Sequence, residues 1–334
     1  MRHSLYILSL SLLLSGLFAS CRRSEQPQVA ASFWLRVTPA DSLRDGFRII
    51  EAEGQTRYIV PVTEWSAEPE TDTYHQLHHH GVALESDLMA YRIYFDRKQT
   101  IDVYAKKTPR LELPTSYWYP SEEQLADHYG DDILRVSGTV GVGSVKPWRD
   151  GKMVHIEPVE KRTQRIVYQT ADSAAMEIAV EGWQTEGKQV DMTVRYTLKA
   201  HHRDMLCEVF LSEPLDSLCT GVQLVPFKNN PGTCDALYVS ADDGGVVLGS
   251  WGTDWPVNDT VRYAKETVGL GVYIPAEYAG NPVRDARNNL ALFQPKTYLR
   301  FYLTCVAQKE DNPPARSAET FYRYLETWAT ALRE

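Results

Sequence analysis

The chain has 334 residues, and its 35 lysines and arginines are outnumbered by 44 aspartates and glutamates, for a formal net charge of −9 at pH 7. Contacts to nucleic-acid phosphates need clustered Lys and Arg side chains, so this acidic, unclustered balance argues against a nucleic-acid partner. The length suffices for one large β domain or two smaller ones. The 8 Trp and 19 Tyr residues suit buried strands or sugar-stacking surfaces.

The N-terminus has the pattern of an exported lipoprotein. Residues 1–20 join a short basic start to a Leu- and Ser-rich run, and small residues precede Cys21, although Phe18 stands where Leu is usual. We expect a signal peptide at 1–20, lipid on Cys21, a tether over 21–31 and a single domain over 32–334. An uncleaved anchor helix is the alternative, but the apolar run is short for a membrane span.

The residues that follow Cys21 help to predict on which side of the membrane a lipoprotein is retained. No strong acidic run follows the cysteine. We therefore expect the protein to be exported and attached to the membrane through this lipid alone, on the periplasmic side rather than at the cell surface.

Most of the chain from residue 47 onward predicts β-strands, which alternate or run β-branched and aromatic between turn residues. Their spacing, with Gly, Asp, Asn and Pro between them, predicts an all-β fold, a large antiparallel β-sandwich. The expected strands are 47–51, 57–62, 89–95, 100–105, 153–158, 164–169, 176–180, 190–198, 206–211, 220–226, 245–248, 268–274 and 298–306.

Two helices are expected. Ser121 as N-cap with Gln124 three residues later predicts a short helix near 121–129. Residues 317–332 place an aromatic and aliphatic stripe at helical spacing, which predicts a C-terminal helix docked on the sandwich.

Two other sequence patterns, the cysteines and a glycine-rich run, give little indication of function. Cys207, Cys219, Cys234 and Cys305 fit no zinc spacing and suit either structural disulfides or buried small side chains, with the pairing open. The glycine-rich run 138–143 superficially resembles a nucleotide-binding loop, but a turn and not a helix follows it.

The segment 75–85 holds four of the nine histidines and then Glu85. If it is extended, His78 and His80 point to one face, His79 points to the other, and a turn at Gly81 returns Glu85 to the first face. Two imidazoles and a carboxylate suit acid–base work on a sugar, since a histidine with a pKa near 6.5 can exchange a proton with a sugar oxygen. An exposed, solvated turn is the plain alternative.

Metal binding is the second chemistry for the same residues. His78, His80 and Glu85 have the core spacing of a cupin ligand motif. The flanking glycines of that motif are absent, with Asp72 and Arg92 in their places, and no later segment offers a fourth ligand. We therefore expect no metal and no cofactor, and keep this set as the alternative.

The next predicted hairpin can form in two registers. A two-residue loop at Arg97-Lys98 puts Tyr91, Asp102 and Tyr104 on one face, whereas an odd-length loop puts Arg92 beside Asp102. An arginine among aromatic residues on a sheet suits the carboxylate of a sugar acid, and an arginine paired with a local carboxylate is the alternative.

Two further patches suit sugar binding. Trp148 lies in a predicted loop, and His155 shares strand parity with Glu157. Trp251 and Asp254 flank a glycine in a second patch that is either a carbohydrate platform or an aromatic-braced turn.

The run from His78 to Asp96, continued by Thr100–Tyr104, resembles the domain-of-unknown-function family numbered 4861, found mostly in exported proteins of Bacteroidota-type bacteria. The resemblance covers most of the chain after the signal peptide and is most specific over residues 78–104. It implies a β-sandwich of the galactose-mutarotase-like kind, in which a concave sheet holds a sugar and His plus Glu transfer protons. The family's association with pectin- and uronide-degrading enzymes implies carbohydrate handling, and no catalytic residue of the family carries over.

These observations predict a carbohydrate-active exported lipoprotein that acts on a sugar or uronate-containing oligosaccharide by proton transfer, in the manner of an epimerase, mutarotase or lyase. The alternatives are a non-catalytic sugar-binding lipoprotein and a metal-dependent, cupin-like hydrolase or isomerase. The expected catalytic residues are His78, His80, Glu85 and Tyr91, and the expected sugar contacts are Arg92, Asp102, Tyr104, Trp148, His155, Trp251 and Asp254.

Overall fold

The computed structural model describes residues 28–52, 54–225, 235–240, 243–261 and 263–333. The expected signal peptide, Cys21, most of the expected tether, and Cys234 lie outside these residues. The last residues of the expected tether, from Val29 on, already belong to the first strand. No helix in the described ranges is long and apolar enough to cross a membrane.

Over the described residues the chain forms 22 strands, three α-helices and two short 3-10 turns, at Pro39–Asp41 and Leu113–Thr115. The helices are α1 (Thr73–Gln76), α2 (Glu122–Ala126) and α3 (Ala318–Ala331). The strands are β1 (Val29–Ser32), β2 (Trp34–Val37), β3 (Arg48–Ala52), β4 (Gln55–Pro61), β5 (Glu64–Ala67), β6 (Ala83–Ser86), β7 (Met89–Ile93), β8 (Ile101–Ala105), β9 (Asp131–Asp132), β10 (Lys146–Arg149), β11 (Lys152–Met153), β12 (Lys161–Gln169), β13 (Ser173–Thr185), β14 (Lys188–Lys199), β15 (Asp204–Leu211), β16 (Leu218–Gln223), β17 (Asp235–Ser240), β18 (Val246–Asp254), β19 (Glu266–Ile274), β20 (Ala279–Arg284), β21 (Asn288–Phe293) and β22 (Tyr298–Ala307).

The strands pair antiparallel into four sheets. One layer is a nine-stranded sheet in the order β17-β18-β19-β22-β15-β14-β13-β12-β5. The opposite layer consists of two five-stranded sheets, β1-β6-β7-β8-β9 and β11-β10-β16-β21-β20, and β2-β4-β3 forms a small fourth sheet. The main hydrophobic core joins the layers, with Leu84 and Tyr91 from the first five-stranded sheet, Ala291 from the second, and Met176 and Val194 from the nine-stranded sheet. The predicted all-β, antiparallel sandwich is confirmed.

Both predicted helices are confirmed, and the N-cap of α2 is the one that the sequence indicates. Ser121 accepts a hydrogen bond from the Gln124 amide at 3.2 Å while the Gln124 side chain accepts from the Ser121 amide at 2.9 Å, so a capping box starts α2. The apolar face of α3 is buried against the outer side of the nine-stranded sheet, where Phe321 and Leu325 meet Tyr273.

The strand predicted at 153–158 is wrong over most of its length. Only Lys152–Met153 pairs as β11, and the chain then runs irregularly to residue 161. The Ile156 amide donates to the Arg97 carbonyl at 3.1 Å, which fastens this irregular segment to the β7–β8 loop.

The glycine-rich run 138–143 joins the two five-stranded sheets. Gly141 bridges to Ile101 and Val142 bridges to Val222. Gly141 has φ +59°, and a Cβ there would lie 2.3 Å from the Ile101 carbonyl oxygen. The glycine is therefore required for close backbone approach, and the run is not a nucleotide loop.

The described cysteines are buried thiols. No disulfide joins any two of Cys207, Cys219 and Cys305, and all three pack as small buried side chains. Burial raises the pKa of each thiol, which keeps the three cysteines protonated and inert.

We predict that Gly141→Ala destabilises the protein far more than Gly151→Ala. Both positions have positive φ, at +59° and +73°, so both substitutions cost about 1 kcal/mol of backbone strain. Only Gly141 has a neighbour within reach of a new Cβ, and overpacking adds about 1–3 kcal/mol there. Urea unfolding of the two variants measures the difference, and equal losses would contradict the close-approach role.

Candidate functional site

The histidine cluster is a turn and not a strand. Asp72 caps the short helix α1 by accepting from the His75 amide at 3.2 Å, and the chain then turns through His79 at φ 55° and His80 at φ 65°. Two consecutive residues in the left-handed region break the strand alternation. The expectation that His78 and His80 share one face of an extended segment is therefore wrong, and each histidine has its own surroundings.

His78 and His79 are fully buried. The Arg57 guanidinium donates to His78 Nδ1 at 2.9 Å, and His79 Nε2 donates to the Leu113 carbonyl at 3.0 Å. Burial lowers the pKa of His78 well below its usual range and that of His79 to about 3. Both are neutral packing residues that hold the 113–118 segment against the fold, out of reach of a bound molecule.

His80 lines a cavity of about 250 Å³ at the surface of the sandwich. Its ring stacks on Trp118 with centroids 4.5 Å apart and lies 4.6 Å from Tyr94. Within the described part of the chain neither ring nitrogen of His80 makes a hydrogen bond. Burial, with a smaller contribution from Arg92, lowers the pKa of His80 well below 6.5, so the imidazole is neutral at pH 7.

A second cavity of about 670 Å³ adjoins the first. The linings of the two share Thr73, Phe95 and Asp96, and we call the two cavities together the His80–Arg162 groove. Its charged and polar lining consists of Glu68, Glu70, Thr71, Thr73, Tyr74, His80, Tyr94, Asp96, Arg97, Lys98, Ser137, Glu157 and Arg162. Lys98 pairs with Asp96 at 3.2 Å, which places an ammonium group beside the His80 end.

Glu85 does not return to the histidines. It is 1% exposed, pairs with Lys106, and accepts from the Glu112 amide at 2.5 Å and the Leu113 amide at 3.2 Å. Burial raises its pKa and Lys106 opposes that rise. Among the described residues no three His, Cys, Asp or Glu side chains converge as a metal site requires, so the expected alternative set of His78, His80 and Glu85 does not form.

The β7–β8 hairpin adopts the odd-length register, in which Arg92 lies opposite Asp102. The buried Arg92 guanidinium pairs with Asp102 at 2.6 Å and with Asp132, and donates to the Trp118 carbonyl at 3.1 Å. Both terminal nitrogens of its guanidinium donate to the protein, and only its Nε lacks a partner. Arg92 is thus paired with local carboxylates, which was the alternative to binding a sugar carboxylate. We call Arg92, Asp102 and Asp132 the Arg92 triad.

The other expected residues of the hairpin are also internal. Tyr91 faces the main core, opposite to Arg92, and its hydroxyl donates to the Arg203 carbonyl. Tyr104 is fully buried and donates to the Gly130 carbonyl at 3.2 Å. Neither tyrosine lines the groove.

The structure separates the remaining expected sugar contacts from one another. Trp148 is half-buried against a small apolar cluster, and Trp251 is covered by α3, with its ring 5.5 Å from Phe321. Asp254 ends β18 and accepts from the Trp255 amide at 2.8 Å. His155 lies nearest the groove, two residues before Glu157, and burial lowers its pKa to about 4.

Trp118, which stacks on His80 from outside the groove lining, and the groove residues Tyr94 and Arg162 were not among the expected site residues. Trp118 had a detectable signal, because three consecutive aromatic residues at 117–119 stand between Pro114 and Pro120. Tyr94 and Arg162 occupy ordinary hairpin and strand positions, and only the tertiary structure brings them to the groove.

A family model described as "Domain of unknown function (DUF4861)" matches residues 39–334 and so includes every groove residue. No curated protein matches the chain. One solved structure, from Klebsiella pneumoniae subsp. pneumoniae MGH 78578 and provisionally described as an aldose 1-epimerase, is similar over 91% of this chain and 96% of its own, at 8% identity and a TM-score of 0.37.

We predict that Arg92→Met lowers the free energy of unfolding by about 3–5 kcal/mol, since it leaves two buried carboxylates without their cation. Burial raises the pKa of Asp102 and Asp132 and Arg92 opposes the rise. A carboxyl with a raised folded-state pKa stabilises the fold only while protonated, and that contribution is lost as pH rises. The destabilisation should therefore be larger at about pH 8 than at about pH 5.

Thermal or urea unfolding across this pH range measures the effect. Arg323→Met is the matched control, because Arg323 is exposed and pairs with Glu319 one helical turn away. The control should lose less than about 0.5 kcal/mol at any pH. A pH-independent loss in Arg92→Met would contradict the role assigned to the triad.

Proposed function

Because this chain belongs to the DUF4861 family, whose function is unknown, we propose a function from its groove: proton transfer on a sugar or uronate-containing oligosaccharide. The observation that carries the proposal is His80, a neutral imidazole that lines a cavity and makes no hydrogen bond within the described part of the chain. A neutral imidazole in reach of a bound molecule is a general base.

The rings around His80 suit a sugar. Tyr74, Trp118 and Tyr94 surround the imidazole with centroids 5.1, 4.5 and 4.6 Å away. Aromatic rings beside polar groups bind the C–H faces of pyranoses while hydroxyls reach the polar groups. Thr73, Asp96 and Lys98 supply those groups at the same end of the groove.

Two reactions fit this arrangement. In a mutarotase- or epimerase-like reaction, His80 removes a proton from the sugar and a proton is returned at another position or face. In a lyase-like reaction, His80 removes the proton alpha to a uronate carboxylate and the glycosidic oxygen leaves. In both, the Lys98 ammonium stabilises the negative charge that develops on oxygen. Neither reaction calls for a cofactor.

A non-catalytic sugar-binding protein is the second candidate, and the same aromatic rings favour it. In that case Tyr74 and Tyr94 supply the affinity and His80 is merely a wall of the cavity. Loss of turnover without loss of binding in a His80 variant separates the two candidates.

We also propose that the protein is an exported lipoprotein, attached through Cys21 on the periplasmic side. The Leu- and Ser-rich run before Cys21 supports this. Substitution of Cys21→Ser should move the full-length protein from the membrane fraction to the soluble exported fraction, as measured by fractionation and immunoblotting. A Cys21→Ser protein that still sediments with membranes would contradict the lipid anchor.

We predict that His80→Gln lowers kcat/KM by about 100- to 10,000-fold, the usual contribution of a general base. Substrate is identified first, by incubating the protein with aldoses and pectic and uronic oligosaccharides and reading anomeric NMR and the ultraviolet absorbance of unsaturated products. Because the pKa of His80 is lowered well below 6.5, the imidazole stays neutral, and able to accept a proton, at pH values below the usual pKa of histidine. The acid limb of the pH–rate profile should therefore lie below about pH 6.5.

His202→Gln is the matched control, since His202 is half exposed, pairs with Asp204 and lies in a turn outside the groove. It should keep full activity. Unchanged kcat/KM in His80→Gln, with the substrate still turned over, would reject His80 as the base.

A further inference from the structure

Arg162 is a buried cation without an ion pair. It lies in β12, between β5 and β13, and is 6% exposed. Its Nη2 donates to the Ile156 carbonyl at 2.5 Å, and its Nε has no hydrogen-bond partner. Within the described ranges it pairs with no carboxylate, yet it lines the 670 Å³ part of the groove.

The two carboxylates whose charge acts most on Arg162, Asp96 and Glu157, are engaged with other cations. Asp96 accepts from the Lys98 amide at 2.7 Å and pairs with the Lys98 ammonium at 3.2 Å. Glu157 pairs with Arg97 at 2.9 Å. Arg162 therefore lies in the electrostatic field of Asp96 and Glu157 without forming an ion pair with either.

The other deeply buried arginines have closer partners. Arg92 is 2% exposed and pairs with two carboxylates. Arg57 is covered by the rings of Tyr117 and Trp118, at 3.8 and 4.0 Å from its guanidinium carbon. Arg162 has neither arrangement, and only the Ile156 carbonyl and the more distant charges of Asp96 and Glu157 offset the loss of its hydration.

A guanidinium cannot escape this cost by losing its proton. Burial lowers the pKa of Arg162 and Asp96 opposes that shift, but the group stays charged at neutral pH. A buried cation beside an open cavity is compensated when an anion enters that cavity.

We propose that Arg162 binds the carboxylate of the ligand, and that the ligand is a sugar acid whose carboxylate lies in the 670 Å³ end of the groove. Arg162 lines that cavity, and a guanidinium carries N–H donors in one plane that match the two oxygens of a carboxylate. Glu68, Glu70 and Glu157 line the same cavity and repel a dianion such as phosphate more strongly than a monoanion. That the anion is borne by a sugar rests on the function proposed above.

The test is calorimetric titration of the full chain with mono- and oligomeric galacturonate and glucuronate, their methyl esters, the parent neutral sugars and inorganic phosphate. The esters match the acids in shape and lack the charge. We expect the acids to bind at least tenfold more tightly than their esters, and phosphate to bind more weakly than the acids.

Arg162→Gln should abolish the preference for acid over ester and leave ester binding unchanged, and Arg162→Lys should retain part of it. Arg165→Gln is the matched control, because Arg165 lies on the same strand, is half exposed and pairs with Glu177 at 2.6 Å. It should bind like the wild type. Since Arg162 is unpaired, Arg162→Gln should also keep or raise the melting temperature.

Equal binding of acids and esters, no binding of any acid, tighter binding of phosphate, or an unchanged preference in Arg162→Gln would each overturn the proposal. A lowered melting temperature with unchanged binding would show that Arg162 only fastens the Ile156 carbonyl. An Arg162-dependent acid preference without turnover keeps this inference and rejects the proton-transfer function. Turnover without any preference for acid over ester keeps the proton-transfer function and rejects this inference.

Discussion

The buried Arg92 triad is the constraint on which the groove depends. Arg92 in β7 pairs with Asp102 in β8 and Asp132 in β9, and so ties together three neighbouring strands. Its Nη1 donates to the Trp118 carbonyl at 3.1 Å. That contact fixes the backbone of the loop whose indole stacks on His80 at 4.5 Å. A buried ion pair adds little net stability compared with apolar packing, but one that has lost its partner is costly, so the loop has few alternatives to this position.

A second buried pair holds the same loop from its other end. Glu85 in β6 pairs with Lys106 and accepts hydrogen bonds from the Glu112 and Leu113 amides. His79 donates to the Leu113 carbonyl. Glu85 and His79, whose side chains could do acid–base chemistry, thus serve to hold in place the loop that carries the aromatic rings. The Tyr94 hydroxyl, which donates to Asp102 at 3.2 Å, connects the Arg92 triad to the groove itself.

Secondary structure was largely predictable because its signals are local. The Ser121 cap and the apolar stripe of α3 can be recognised within a few turns of sequence. The histidine turn was not predictable in this way, because side-chain periodicity carries no information on the sign of φ, and His79 and His80 both adopt left-handed conformations that are uncommon outside glycine. The hairpin register was open for a related reason: loop length decides it, and the charge pair of Arg92 with Asp102 was visible only as one of two options.

Ion pairing, and not burial, distinguishes two arginines that sequence patterns treat alike. Arg92 and Arg162 each stand on a strand among aromatic and aliphatic neighbours, and each is nearly inaccessible to water. The Nε lacks a hydrogen-bond partner in both. Arg92 donates to two carboxylates and a carbonyl, which makes it part of the scaffold. Arg162 donates to a carbonyl, forms no ion pair within the described ranges and lines a cavity. Since a protein gains nothing in stability from an uncompensated buried cation, the second arrangement is the one that a ligand explains.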